Sequence, residues 1–361
     1  MSLTSPTTTE ATRAVSELWY TRCPVPTASS LAIAQGWLDD EFAPDEITVS
    51  SLRARRDSAV RESHFDHTQP DSFRQGGNIP PIWTRSRGSD VRLIGLSWAE
   101  QYQAIVALPR SGISGPEDLE GRRLGLTRRL NDQIDFFHAT SLRGYDHVLR
   151  HVGLSLDDVE LVDLPVAERY LPSNGESHSG SLFGAFTNRR IQSSEVVALI
   201  RGEVDAIYVA GGRGPDLEAL LGVDVVFDIA GQDDPQLKVN NITPATLTVS
   251  GALLDDRPDL VTRYVAATLR AARWAVDNPV QTRRIIAHEV GIAEDFVLPG
   301  YPGEIHANLE PSLDHDLVGA IESQQRFLLE HGYIANGFDV REWIDERPLQ
   351  AARELLAAKS S

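Results

Sequence analysis

Apolar positions along the chain fall into short runs separated by longer stretches with helical spacing. Runs at residues 18–22, 47–52, 91–97, 103–108, 123–126, 159–164, 206–209, 223–229 and 245–249 predict β-strands. Elsewhere the period changes. Leu260, Val261, Tyr264, Val265 and Leu269 recur at helix spacing after the acidic run at residues 255–259, and Asp277-Asn278-Pro279 ends the pattern. Strand and helix in alternation predict an α/β protein with largely parallel sheets, followed by a mostly helical C-terminal third.

Two stretches break the alternation. Residues 114–121 read as a turn and one helical turn closed by Gly121, and residues 231–244 are rich in Gly, Asn and Pro without any apolar period. The first stretch is read as a lobe boundary and the second as the return crossing. A chain of 361 residues is long enough for two such cores. The segments Pro116-Glu117-Asp118-Leu119-Glu120-Gly121, Leu199-Ile200-Arg201-Gly202-Glu203-Val204-Asp205-Ala206 and Arg257-Pro258-Asp259-Leu260-Val261 resemble, in this order, the type II periplasmic-binding-protein fold. That resemblance implies a first lobe of roughly residues 12–113 plus 235–361, a second, inserted α/β lobe of residues 114–234, and a ligand cleft between them.

Charge narrows the partners. Lys and Arg total 34 against 52 Asp and Glu, a formal net charge of −18, and a field of that sign repels phosphate backbones and anionic lipid. Neither nucleic acid nor a membrane surface is expected as a partner. No apolar stretch approaches the roughly 20 residues that span a bilayer, and residues 1–20 lack the basic start and apolar core of an export signal. One cysteine allows no internal disulfide, which suits a reducing cytoplasm. No interface pattern is legible, so a monomer is expected.

The cysteine is the first candidate for chemistry. Pro24 biases Cys23 to an extended conformation, which puts the thiol at the carboxyl end of the first strand, where open α/β sheets bind ligands. Thr27 or Ser29 can cap a helix running through Leu31 and Ile33 to Gly36, and its positive end, opening close to Cys23, would welcome an anion. A second cluster spans residues 63–81. Gly76 and Gly77 let backbone N–H groups approach an oxyanion, Pro80 and Pro81 suit a helix start, and Arg74 offers a planar fork for a sulfinate or carboxylate. His64 can move a proton near neutral pH, whereas His67, three residues further along an extended segment, points elsewhere.

At these residues the sequence resembles the 2'-hydroxybiphenyl-2-sulfinate desulfinase family. Cys23-Pro24-Val25-Pro26, His64-Phe65 with Gln69-Pro70, and Arg74-Gln75-Gly76-Gly77 followed by Ile79-Pro80-Pro81 match family segments in order. Leu313-Asp314-His315-Asp316 and the run Gln325-Arg326-Phe327-Leu328-Leu329 extend the kinship to the C-terminal part. The resemblance implies hydrolytic cleavage of an aromatic sulfinate to arene or phenol plus sulfite, without metal or organic cofactor. It implies Cys23 as the essential thiol, His64 as the proton handler and Arg74 as the sulfinate binder, with Gly76, Gly77, Thr21, Gln69 and Phe65 as substrate contacts. Between residues 131 and 150 no counterpart of an aromatic substrate wall is legible. Two other functions use this fold. A binding protein capturing a sulfonate- or nitrate-like anion for an ABC importer is opposed by the missing export signal. A pyrimidine-forming thiamine-precursor synthase would need a cysteine cluster that this chain lacks.

Overall fold

The β-branched and aromatic runs form ten strands in the computed structural model, which describes residues 13–171 and 193–360. In chain order they are β1 (Glu17–Arg22), β2 (Thr48–Ser51), β3 (Ser72–Gly76), β4 (Val91–Ser97), β5 (Gln103–Ala107), β6 (Arg123–Arg129), β7 (Glu160–Val166), β8 (Ala206–Ala210), β9 (Asp224–Asp228) and β10 (Ala245–Ser250). They make two five-stranded sheets, ordered β2-β1-β3-β10-β4 and β7-β6-β8-β5-β9. In each sheet four strands run in one direction and one strand is reversed: β10 against β3 and β4, β5 against β8 and β9. The reversed strands are those by which the chain first enters a sheet from the other one, so the crossings set the antiparallel pairs.

One expected boundary moves. β5 lies inside residues 12–113, expected in the first lobe, yet it pairs with β8 and β9 of the second sheet. The Gly and Pro punctuation at residues 114–121 marks the short helical turn Pro116–Leu119 before β6, within that sheet's part of the chain. A strand with five buried residues suits the middle of either sheet, so its own sequence could not say which.

The element that matters most for the site was not legible as a strand. β3 reads Ser-Phe-Arg-Gln-Gly, polar enough to pass for a loop, but all five residues are buried between β1 and β10. Its faces differ. Phe73 stacks on Tyr264 at 3.7 Å within the core formed with the long helix Pro258–Asp277, while Arg74 projects to the opposite face. His64, expected in an extended segment, lies in a helix of residues 58–66 capped by Asp57, whose side chain accepts from Ala59 N. That helix contributes Phe65 to a second core that also takes in Leu93 and Leu96 of the first sheet and Leu124 and Leu126 of the second. One continuous apolar cluster therefore ties the two sheets together.

The return crossing is pinned from the helix Ile79–Ser86, whose first turn holds Pro80 and Pro81. Just before it, the fully buried Asn78 donates from Nδ2 to Asn240 O at 2.8 Å and Pro244 O at 2.9 Å, and its N–H donates to Asn241 O at 2.6 Å. Replacing Asn78 by Ala strands two buried carbonyls, so Asn78→Ala should lower unfolding free energy by about 3 kcal/mol in urea titrations. A loss below about 1 kcal/mol would show that the crossing is held by other contacts.

Candidate active site

Cys23 follows β1 directly and is buried, and its neighbour across the sheet is the end of β3. The approach is close because Gly76 has no side chain: a Cβ there would overlap Cys23 Sγ and lie 2.8 Å from Cys23 Cβ. Gly77 is under a similar constraint, since a Cβ would stand 2.6 Å from Asn241 Oδ1. The tandem glycines thus let the thiol, the end of β3 and the return crossing meet.

The expected helix beyond Cys23 forms at Ala28–Ala34 with Thr27 as cap. Its start is less open than expected. Ser30 N donates to Thr27 Oγ1 and Ser29 N donates to Gln75 Oε1 at 2.8 Å, so β3 itself supplies an acceptor to this helix. The charge available to an anion comes instead from Arg74.

Arg74 is buried, and among the described residues no carboxylate pairs with it. Its Nε donates to His64 O at 3.3 Å and its Nη1 to Gly77 O at 2.6 Å. Nε and Nη1 are thus held by carbonyls, and Arg74 lines the cavity. Burial lowers the guanidinium's pKa and the adjacent Cys23 opposes that shift. A desolvated cation whose described hydrogen-bond partners are neutral carbonyls is chemically suited to an anion.

His64 sits in the last turn of the helix Ser58–Asp66, with Nε2 4.0 Å from Cys23 Sγ. Burial, and after it the charges of Arg53 and Arg74, hold its pKa well below the usual histidine value. Its Nδ1 is buried without a hydrogen-bond partner. His64 is therefore held as a neutral imidazole, and among the described residues no carboxylate stands behind it. His67, the left-handed residue that closes the helix, turns away as expected: Nδ1 meets Phe65 O at 3.1 Å, and desolvation with Arg74 depresses its pKa to about 3.

These groups line one side of a cavity of about 230 Å³, and Cys23, His64, Arg74 and Gly77 all reach it. Gly76 shapes the floor under the thiol. Thr21, Gln69 and Phe65 do not line it. Thr21 is buried one pleat below Cys23, Gln69 N donates to Ser63 Oγ at 2.8 Å, and Phe65 packs edge-on to His64 in the core. Their neighbours in sequence reach the site, but these three residues are outside its lining.

The facing wall is aromatic, and part of it comes from the stretch where no such wall was legible. Phe136 and Phe137, at the start of the helix Phe136–His151, stack at 4.4 Å, and Tyr170 meets Phe136 edge-on at 5.4 Å. Tyr170 is held from behind by the buried ion pair of Arg129 and Asp132, because Asp132 Oδ1 accepts from Tyr170 N at 2.9 Å. Burial raises the Tyr170 pKa, so its phenol stays protonated; Arg53 lies 5.4 Å from its ring centroid. Arg213, Asn241, Ile292 and Tyr301 complete the opening. Among the described residues no group of three or more His, Cys, Asp or Glu side chains could hold a metal ion.

A cleft between two mostly parallel sheets is the architecture of the type II periplasmic-binding-protein class. In keeping with it, the sulfonate-binding protein SsuA of Escherichia coli superposes with a TM-score of 0.64 at 14% identity, covering 92% of each chain. The family described as NMT1/THI5 like matches residues 81–172. Within this class the relationship is narrower: the chain belongs to the 2'-hydroxybiphenyl-2-sulfinate desulfinase family, being 30% identical over 346 residues to the desulfinase of Rhodococcus erythropolis, with 90% of each chain covered. A crystal structure of a cysteine-to-serine mutant of the desulfinase DszB in complex with biphenyl-2-sulfinic acid superposes with a TM-score of 0.74 at 25% identity, covering 94% of this chain and 99% of that one.

Two measurements test this geometry. Gly76→Ala forces the thiol out of place, so activity should fall by about 10²-fold or more while the circular dichroism spectrum is kept; near-normal activity would mean that Sγ has room to move. His64 and His67 stay neutral in the folded chain but charge below about pH 6.5 once unfolded. The unfolded state then binds more protons, so stability is present above pH 6.5 and declines as pH falls, by up to about 1.4 kcal/mol per unit for each histidine. Imidazole NMR signals of both should stay at their neutral positions from pH 8 to pH 5, and a midpoint near 6 for either would contradict the assignment.

Proposed function

We propose that this protein cleaves the carbon–sulfur bond of an aromatic sulfinate, 2'-hydroxybiphenyl-2-sulfinate or a related aryl sulfinate, with water to give arene or phenol plus sulfite. The observation that carries this reading is the meeting of Cys23, neutral His64 and carboxylate-free Arg74 on one wall of an aromatic-lined cavity. Family membership points the same way.

In this reading Arg74 takes the sulfinate oxygens through Nη2, with Gly77 beside it, and Phe136, Phe137 and Tyr170 hold the rings. The ring carbon must gain a proton as its bond to sulfur breaks. A thiolate–imidazolium pair would set a cation beside Arg74 and Arg53, so the neutral His64 favours Cys23 acting as a thiol. Cys23 gives its proton to the ring carbon, the C–S bonding electrons form the new C–H bond, and sulfur leaves as SO₂. Water hydrates SO₂ to bisulfite, and the proton released returns to the Cys23 thiolate through His64. Arg74 steadies the thiolate in between, and no metal or organic cofactor enters.

The same reading makes the protein a monomer of the cytoplasm without nucleic-acid or membrane partners. It fits the net charge of −18, and among the described residues no helix is long and apolar enough to cross a membrane. It also divides the chain into two lobes around the cleft, with the second beginning at β5 and ending before β10.

Sulfite release from 2'-hydroxybiphenyl-2-sulfinate by the purified protein is the direct test. Cys23→Ser should abolish it, and Arg74→Lys, which loses the planar fork, should lower kcat/KM by about 10²-fold or more. Tight binding without sulfite would favour anion capture for transport, and full activity in Cys23→Ser would remove the thiol from the chemistry.

A further inference from the structure

A second cavity of about 130 Å³ lies beyond the aromatic wall, bounded by Ser141, Val196, Tyr208, Val209 and Leu217. It shares Phe137, Thr140, Ala210 and Arg213 with the main cavity, so these side chains divide the two. Thr140 and Ala210 are the small members of that divide. Arg213 is tethered by its ion pair with Asp216 at 3.2 Å.

The second cavity is apolar for a structural reason. A Cβ on Gly144 would overlap the Tyr208 ring, so glycine there lets the ring lie against the helix Phe136–His151. The Tyr208 hydroxyl is spent elsewhere, donating to Gln103 Oε1 at 2.8 Å and accepting from Asn240 Nδ2 at 3.0 Å. What remains toward the cavity is ring surface together with buried Val196, Val209 and Leu217. Glu195 and Arg213 are the ionisable residues of its described wall.

Size gives this space a meaning. An apolar cavity of about 150 Å³ takes one benzene ring, so 130 Å³ accepts one ring or a branched alkyl group. The main cavity, at about 230 Å³, is smaller than the roughly 300 Å³ at which ordinary ligand pockets begin. The two together reach that range.

We propose that the second cavity is a substrate subsite that takes an uncharged ring or branched alkyl substituent carried by the aryl sulfinate at the end remote from sulfur. The substituent passes between Thr140 and Ala210 as Phe137 swings on its side-chain torsions. An anionic substituent is disfavoured because it would meet Glu195. The proposal rests on the desulfinase reading above and names the substrate class of that site.

The test compares biphenyl-2-sulfinate with two analogues bearing tert-butyl or carboxylate on the distal ring. Sulfite release should give the tert-butyl analogue a kcat/KM at least equal to that of the parent, and the carboxylate analogue one at least ~10-fold lower. Val196→Phe and Ser141→Leu each fill the second cavity. In either one that folds, the ratio of kcat/KM for tert-butyl over parent should drop ~10-fold or more. An unchanged ratio in a folded variant, or exclusion of the tert-butyl analogue by the wild-type protein, would overturn the subsite. Dissociation constants for the same sulfinates on Cys23→Ser protein and its filled variants separate the two readings. A preserved affinity preference that is lost on filling, without any sulfite from wild-type protein, would support the subsite and sink the activity.

Discussion

The site depends on a guanidinium that the fold buries with no acid paired to it among the described residues. Arg74 stands on a central strand with both faces covered, and its held edges go to the carbonyls of His64 and Gly77. Those two bonds do more than satisfy the side chain. They tie the last turn of the helix Ser58–Asp66 and the glycine turn after β3 to one rigid plane, which sets where His64 and Gly77 can be. The cost of burying such a charge is offset only in part by carbonyl dipoles, so an anion entering the cavity completes the arrangement.

Around that charge the other features fall into order. The positive potential of Arg74 and Arg53, added to burial, keeps His64 neutral, and neutrality decides which proton chemistry it can share with Cys23. Tyr170 and Phe137 face the same potential from across the cavity and are themselves backed by Arg129, whose Cζ lies 5.4 Å from the Phe137 ring centroid and 6.0 Å from that of Tyr170. Arg129 is fixed by Asp132, so one buried ion pair aligns an aromatic wall drawn from two places in the chain. A ring-bearing anion meets a cation at one end and faces of aromatic rings at the other.

Much of this was legible before any coordinates. Cys23 stood out because Pro24 and the Thr27 cap mark a strand end running into a helix start, and both elements form where the pattern put them. Arg74 and the tandem glycines were legible as an anion site by residue type. Their setting was not: Ser-Phe-Arg-Gln-Gly hides a central strand because its polar side chains find buried partners, Gln75 at Ser29 N and Arg74 at two carbonyls. Thr21, Gln69 and Phe65 were expected as substrate contacts from the family resemblance, and none of the three lines the cavity.

Local sequence thus determined the α/β alternation, most strand positions, the long helix Pro258–Asp277, and the residue types available for chemistry, because apolar period, caps and turn residues act over a few positions. Tertiary structure alone decided that β5 joins the second sheet, that Phe136, Phe137 and Tyr170 face Cys23 across a cleft, and that His64 is neutral beside it. Those outcomes depend on which surfaces meet at long range and on how much water their meeting removes, quantities that no window of neighbouring residues contains.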